Sequence, residues 1–422
     1  MCELAPTQES ETRVTKRISL STLPWIVWTL TLIALPCWMA NDGPLAWDLN
    51  VILDAMHSVH AGADPYAVGI ARQDAFLQSA ASHAGAARPF VYVYSPITLP
   101  LLRAMGMLPE SVTRGVYWML YLLAIVFQLW TASCLPCADE KVFIGIVTPI
   151  TLFFPGLLLF DTVFSGNIAF LLYGLMLAGL LMGWKRGHWR WFYAAVLIAS
   201  CFKAPYLIYL VLPLCCARRR WFQVALVGGL GVALFAIQAV LWPELFRSYT
   251  HALDRIFSYN NDFGSGPVGR IGALLAVLTG RYAMWTTLAY ALLAALLFGV
   301  LLYFAYYYKR GYLAAEQWIP LALLGVLLLN PRLIEYDIFP FTVPMLLILY
   351  RLIRPMRHAV VVTAGLAVIW VAANVYANRS HEDWKCIECA VLVGVFMLGC
   401  WQMSRKIMSS SVPVQEIAEA AD

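Results

Sequence analysis

Charge is scarce in this sequence. Only 13% of the 422 residues are Asp, Glu, Lys or Arg, whereas 61% are apolar; a soluble domain carries about a quarter charged residues and is about half apolar. Too few polar side chains remain to cover a water-facing surface, so the chain needs lipid as its solvent. Also missing is a basic stripe on a soluble face, and with it the electrostatic footprint of a nucleic-acid-binding protein. No repeat or low-complexity tract stands out, so the inverted-repeat signature of many transporters is lacking. A cleavable signal peptide is not expected, because the first apolar run, Ile18 to Ala40, is long and has no small-residue cleavage pattern. No cytosolic cofactor domain interrupts the apolar pattern.

Long apolar runs are what the sequence has most of. A spanning helix needs about 20 apolar residues to cross about 30 Å of hydrocarbon. About twelve segments qualify as crossings: Ile18–Ala40, Gly115–Cys134, Val142–Phe160, Ile168–Trp184, Trp191–Phe202, Ala204–Cys216, Trp221–Trp242, Ala283–Tyr308, Leu313–Leu329, Ile338–Ile353, Ala359–Ala377 and Ile387–Met403. Lys and Arg gather on the cytoplasmic side of membrane helices. With these spans, Arg13/Lys16/Arg17, Lys185/Arg186/Arg190, Arg218/Arg219/Arg220, Lys309/Arg310, Arg351/Arg354/Arg357 and Arg405/Lys406 all fall on one side. The expected organisation is a cytoplasmic tail (1–17), an all-α integral membrane bundle (18–403) and a second cytoplasmic tail (404–422). The long non-cytoplasmic loops are 41–94, expected to be helical, and 243–282. A multi-pass protein of the cell (inner) membrane with both termini cytoplasmic follows.

Two segments need special treatment. Ser95–Met107 is apolar, but 13 residues of helix reach only about 20 Å, and counting it as a crossing would invert every later loop; it is expected to be re-entrant at the outer face. Trp191–Cys216 is flanked by basic clusters at both ends. A hairpin of two short limbs keeps both clusters inside, with Lys203-Ala204-Pro205 at its outer turn, since Pro205 disfavours helix at Ala204.

Ionisable groups near a bilayer are costly and persist chiefly where they act. Here they collect at the outer ends of spans: Asp48, Asp54, Asp64, Asp161, Lys203, Asp262, Arg270, Arg332, Glu335 and Asp337, with Asn167, Asn260, Asn261 and Asn330 beside them. That distribution implies a polar cavity opening outward. Asp48 opens a short helix after the first span; it either caps that helix or stays ionised near the helix dipole to take a proton from a hydroxyl. Lys203, at a turn level with the headgroups, either snorkels to lipid or meets a phosphate, and Arg332 and Arg270 face the same side. Asp54, His57 and His60 share a helix face at metal-like spacing, which exposed polar residues explain equally well. The CxxC pairs Cys134/Cys137 and Cys386/Cys389 have zinc-ligand spacing, but the topology places them across the membrane from each other, and small apolar fillers account for them. No metal site is assigned and no cofactor is firmly expected; a divalent cation stays compatible with the acidic set.

The order of motifs resembles the GT-C class of membrane glycosyltransferases, and within it the family 87 polyprenol-phosphate-mannose-dependent mannosyltransferases. The resemblance is carried by Asp48-Leu49-Asn50-Val51, Gly62-Ala63-Asp64-Pro65-Tyr66, Tyr94-Ser95-Pro96, Ser165-Gly166-Asn167, Phe202-Lys203-Ala204-Pro205 and Asn330-Pro331-Arg332-Leu333-Ile334-Glu335-Tyr336-Asp337. Where several relatives carry a His in the late motif, Tyr336 stands near that position. The resemblance implies a GT-C-like bundle and a hexosyltransferase that moves a sugar, mannose favoured, from a polyprenyl-phosphate donor to an envelope glycan or glycolipid. It casts Asp48 as base in an inverting displacement. Lys203, Arg332 and Arg270 then bind the donor phosphate, and Asp64, Tyr66, Tyr94, Asn167, Tyr336 and Asp337 line the sugar and acceptor pocket. A lipid-linked glycan transporter or flippase, and a glycan polymerase or ligase, are the competing classes.

Overall fold

The computed structural model describes residues 22–39, 46–79, 89–153, 160–217, 220–258, 264–279, 283–377 and 381–410, and these are helical almost throughout. The chain begins with α1 (Leu23–Met39). Two helices of the first loop follow, α2 (Trp47–His60) and α3 (Pro65–Gln78). Asp64 starts α3: its Oδ1 accepts from the backbone N–H of Tyr66 at 2.9 Å and of Ala67 at 3.3 Å, and Pro65 occupies the first helical position, where a missing N–H costs nothing.

The expected re-entrant segment is a 3₁₀ turn, Pro96–Thr98, running into α4 (Leu99–Met105), whose seven residues cannot span a bilayer. The bundle proper then follows as α5 (Glu110–Ala132), α6 (Lys141–Phe153), the single turn α7 (Phe160–Val163), α8 (Ala169–Arg186) and α9 (Arg190–Phe202). Backbone approach is close between α8 and α9: a Cβ on Gly179 would lie 2.5 Å from the Cα of Phe192.

At Lys203 the backbone turns extended (φ −137°, ψ 106°), and the chain continues as a 3₁₀ segment, Ala204–Leu210, and α10 (Val211–Cys216). Arg190, at the start of α9, and Arg220, just before α11 (Trp221–Leu241), line one cavity. The two limbs therefore return to the same face, with Lys203 at the far end, as the basic flanks predict.

The second long loop is helical where described, as α12 (Pro243–Ser258) and α13 (Pro267–Thr279). Arg255 of α12 ties back to Asp74 of α3 at 2.6 Å. The remaining helices are α14 (Ala283–Lys309), α15 (Ala315–Leu328), the short α16 (Glu335–Ile338), α17 (Thr342–Ile353), α18 (Ala359–Ala377) and α19 (His381–Ser410). Each expected crossing that falls on described residues appears as helix, with ends shifted by a few residues. Among the described residues, six helical stretches are long and apolar enough to cross a membrane: 110–132, 221–241, 287–309, 335–353, 359–376 and 383–409. Apolar helices at 141–153, 190–202, 204–216 and 315–328 are shorter. Helix α15 is buried from Trp318 to its end and sits at the centre of the later half, packed by α14, α17 and α19. Exposed Leu, Val, Ile and Trp on α5, α11, α14 and α18 face outward, as lipid-facing helices require.

Candidate active site

The site is built where α2, the loop before α8, the Lys203 turn and the loop before α16 come together. Helix α2 starts from Ala46, whose left-handed backbone (φ 64°) is strained for a residue with a Cβ. The amides of Ala46, Asp48 and Leu49 are spoken for by carbonyls of the facing loop: Ala46 N–H donates to Phe164 at 2.9 Å, and Asp48 and Leu49 donate to Ser165 at 2.9 and 3.2 Å. That docking leaves the capping position to Ala46, which has no side-chain cap. Asp48 is therefore not the helix cap, and its carboxylate points elsewhere.

It points to Asn167. The Asn167 side-chain N–H donates to Asp48 Oδ2 at 2.7 Å. The amide's orientation is fixed from its other end, because Asn167 Oδ1 accepts the Ala169 N–H at 2.9 Å and so must be the carbonyl oxygen. Loop and helix can approach this closely because residue 166 is glycine: its φ is +73°, and a Cβ there would lie 2.8 Å from Leu49 Cβ. From below, the Tyr117 and Tyr121 hydroxyls of α5 donate to the carbonyls of Gly166 (2.6 Å) and Val163 (2.8 Å).

Asp48 keeps part of its surface open but is set deep among protein atoms. Burial pushes its pKa up to about 6. The Asn167 hydrogen bond, the charge of Lys203, the Ser165 hydroxyl and the charge of Arg332 all pull the other way. The two cations thus act on the same carboxylate, and both also act on Asp337. Lys203 Nζ lies 4.8 Å from the centre of the Tyr336 ring and 5.4 Å from that of Tyr94, within cation–π range of both. Asp337 is locked in place: Tyr173 donates its hydroxyl to Oδ1 at 2.9 Å, and the Ile334 N–H donates to Oδ2 at 3.1 Å. Asp48, Tyr94, Asn167, Lys203, Arg332, Tyr336 and Asp337 thus form one cluster, two carboxylates and two cations under aromatic rings.

Three of the expected site residues stand apart from it. Asp64 serves as the cap of α3. Tyr66 is fully buried behind the cluster and donates its hydroxyl to the Tyr94 carbonyl at 2.7 Å, so it holds Tyr94 from the rear. Arg270 donates Nε–H to the Gly264 carbonyl at 2.9 Å, and its charge bears on Cys389 of α19 rather than on Asp48. Asn260, Asn261 and Asp262 lie outside the described residues, as does the side chain of Asp161. Asp54 pairs with Arg72 at 2.7 Å, and His57 lies 3.5 Å from Glu110, so two of the three residues with metal-like spacing on α2 meet side chains outside that trio.

Residue spacing alone did not reveal Ser95 or the tyrosines beneath Asp337. Ser95 fixes the Lys203 turn by donating its hydroxyl to the Cys201 carbonyl and its N–H to the Phe202 carbonyl, the latter at 3.2 Å. Tyr173 and Tyr209 share a hydroxyl–hydroxyl bond of 2.7 Å, with Tyr206 edge-on to Tyr173. The available signal was three tyrosines with polar hydroxyls inside apolar helices, each needing a partner when buried.

A cluster that joins a carboxylate of pKa about 6 to two cations suits group transfer from a phosphate-bearing donor. No curated protein and no solved structure matches the chain. A family model does, over residues 92–331, taking in Tyr94, Asn167, Lys203 and Arg270 and ending one residue before Arg332. With more than half its length matched, and a helical membrane fold around the matched residues, the chain belongs to glycosyltransferase family 87.

Proposed function

We propose that this membrane glycosyltransferase moves a hexose, mannose favoured, from a polyprenyl-phosphate carrier to a hydroxyl of an envelope glycan or glycolipid. The reaction takes place on the non-cytoplasmic face of the inner membrane, with both chain termini cytoplasmic. The observation that carries the reading is the Asp48 carboxylate, held by Asn167 and facing the charges of Lys203 and Arg332. A carboxylate whose pKa lies near 6 is ionised at neutral pH yet basic enough to accept a hydroxyl proton. The acceptor oxygen attacks the anomeric carbon while its proton passes to Asp48. The bond from that carbon to the phosphate oxygen breaks with its electron pair, and Lys203 and Arg332 stabilise the charge on the departing polyprenyl phosphate. One base and a direct displacement invert the anomeric configuration.

Two features support a lipid-borne donor. The cluster lies at the end of α9 away from the basic flanks, where positive-inside reasoning leaves no supply of cytosolic nucleotide sugars. Apolar helices too short to cross, α4, α9 and α10 among them, meet near the cluster, and the polyprenyl tail would lie against their apolar side chains. Because residue 48 lies before the family match, the role of Asp48 rests on its geometry.

The test is a transfer assay with the full chain in proteoliposomes, offered polyprenyl-phosphate hexoses and, separately, nucleotide sugars. Single-hexose addition from the lipid donor, abolished in Asp48→Asn with insertion unchanged, is the expected result. Wild-type turnover by Asp48→Asn removes that residue from the mechanism. Transfer from nucleotide sugars alone, joining of preformed chains, or transport without a covalent product replaces the donor assignment.

A further inference from the structure

At the opposite end of α9 from Lys203, the protein carries a cavity with basic side chains on its border that the transfer chemistry does not use. It measures about 290 Å³ and is lined by Gly187, His188, Trp189, Arg190, Tyr193, Arg220 and Gln223. Its walls are fixed by the tight connection between α8 and α9. Gly187 takes a left-handed backbone (φ +72°) to end α8, and Trp189 turns back onto Gly183, where a Cβ would lie 2.7 Å from the indole ring. The third wall is the start of α11, where Arg220 donates to the Gln223 side chain at 2.8 Å.

Two observations point to an anionic ligand. Three basic side chains, His188, Arg190 and Arg220, border the space, and among the described residues none of them has a carboxylate within 4.0 Å. The Tyr193 hydroxyl is buried without a hydrogen-bond partner, in a residue 92% shielded from solvent, and the Arg220 charge acts on it. A buried hydroxyl ordinarily finds a partner, and uncompensated guanidinium groups favour a phosphate, which they can grip with paired N–H donors. The rim supplies the lipid-facing side: Trp191 is exposed beside Arg190, whose guanidinium lies 5.5 Å from the indole ring, an arrangement suited to the headgroup layer.

We propose that this cavity binds the phosphate of an anionic phospholipid headgroup from the leaflet opposite the active site. Arg220 and Arg190 hold the phosphate oxygens, the Tyr193 hydroxyl donates to one of them, and the acyl chains lie against α9 and α11. The volume is at the lower limit of ligand pockets, about 300 Å³, and accommodates a glycerophosphate head rather than a whole lipid.

The experiment uses the full chain in phosphatidylcholine nanodiscs doped with phosphatidylglycerol, with bound lipid counted by native mass spectrometry. Wild type should retain phosphatidylglycerol through exchange into pure phosphatidylcholine. Arg220→Gln and Arg190→Gln should each weaken retention by about tenfold, the loss of one charge-assisted contact, and Tyr193→Phe should weaken it by less. Equal retention by wild type and the Arg190→Gln/Arg220→Gln double variant, with both showing the same thermal midpoint in detergent, overturns the site. A second arm adds soluble glycerol phosphate to detergent-solubilised protein. Displacement of the lipid at comparable concentration overturns the lipid assignment in favour of a soluble phosphate ligand.

Discussion

Asn167 and Asp48 stand 119 residues apart in sequence, yet the amide of one donates to the carboxylate of the other at 2.7 Å. That bond ties the first-loop helix to the mouth of a membrane helix and selects the ionised form of the carboxylate. Removing it in Asn167→Ala should lower transfer by about ten- to a hundredfold, the worth of a hydrogen bond to a charged group. Because the bond lowers the Asp48 pKa, the variant should also need a higher pH for half-maximal activity. A pH–rate profile separates this from simple unfolding, which moves no titration.

The pH dependence of the wild type follows from the same carboxylate. With a pKa of about 6, Asp48 is protonated and idle in mild acid. The kcat/KM of transfer should therefore rise about tenfold per pH unit up to near 6 and level off above it. Lys203→Met removes a charge that favours the ionised form. Its rising limb should move to higher pH while its donor KM increases, a double signature that a purely structural lysine would not give.

Stability should respond in the opposite sense. Folding raises the Asp48 pKa from an ordinary carboxylate value near 3.8 to about 6, so the folded chain holds this proton more tightly than the unfolded one. The contribution favours the folded state when the group is protonated and is lost as pH rises from about 4 to about 6. At pH 7 the ionised Asp48 costs at most about 3 kcal/mol, so Asp48→Asn should melt higher than wild type at pH 7 while transferring nothing. The advantage should vanish below about pH 4, which thermal scans in detergent at the two pH values can read.

Much of this arrangement was legible in the sequence because lipid leaves few solutions. Apolar length set the helices, and the basic flanks at Arg190 and Arg220 required the hairpin whose tip is Lys203. The polar residues at span ends away from the basic flanks then gave a set that holds Asp48, Asn167, Arg332 and Asp337 but also Asp54, Asp64 and Arg270, which stand elsewhere. What spacing could not supply was which charge faces which. Arg270 sits on α13 and Arg332 in the loop before α16, and the Gly264 carbonyl holds the Arg270 Nε–H so that its charge bears on Cys389 of α19. Asp64 and Asp48 both open helices after a loop. Only the docking of α2 on Ser165, which fills the amides an Asp would otherwise cap, frees one of them for chemistry.

Gly166 is the narrowest point of that docking. An alanine there meets a left-handed backbone and a Cβ contact of 2.8 Å with Leu49. Gly166→Ala should cost about 1–3 kcal/mol of stability. The displaced α2 should carry Asp48 off Asn167, so transfer should fall further than the lowered melting temperature accounts for. Activity measured on the folded fraction, well below the midpoint, distinguishes the two losses.

The loop that carries Arg332 is held from behind. Ser265 donates its N–H to the Leu333 carbonyl at 2.5 Å and its hydroxyl to Glu388 of α19, and the Arg332 N–H donates to Asn330 Oδ1 at 3.3 Å. Ser265→Ala should loosen this loop and raise the donor KM several-fold with a smaller change in kcat, since Arg332 is displaced rather than removed. Ser265→Thr, which keeps the hydroxyl, should restore the KM. A fall in kcat alone, with KM unchanged in Ser265→Ala, would separate the clamp from donor binding.

At the far face, Arg351 grips Glu140 through two hydrogen bonds, 2.6 and 2.8 Å, with only 13% and 7% of the side chains exposed. The pair joins α17 to the start of α6 and lies a full helix length from Asp337. A buried ion pair contributes little net stability, but breaking one side strands the other charge, at a cost of about 3–5 kcal/mol. Glu140→Leu should therefore lower the thermal midpoint and yield sharply. Adding Arg351→Met, which removes the stranded guanidinium, should recover most of the loss. Transfer per folded molecule should be unchanged in both, because neither residue reaches the Asp48–Lys203 cluster. A double-mutant cycle on the melting temperatures, run beside the transfer assay, tests both halves: additive losses would mean that the two charges do not depend on each other, and a change in turnover would tie the Arg351 end of α17 to the position of Asp337.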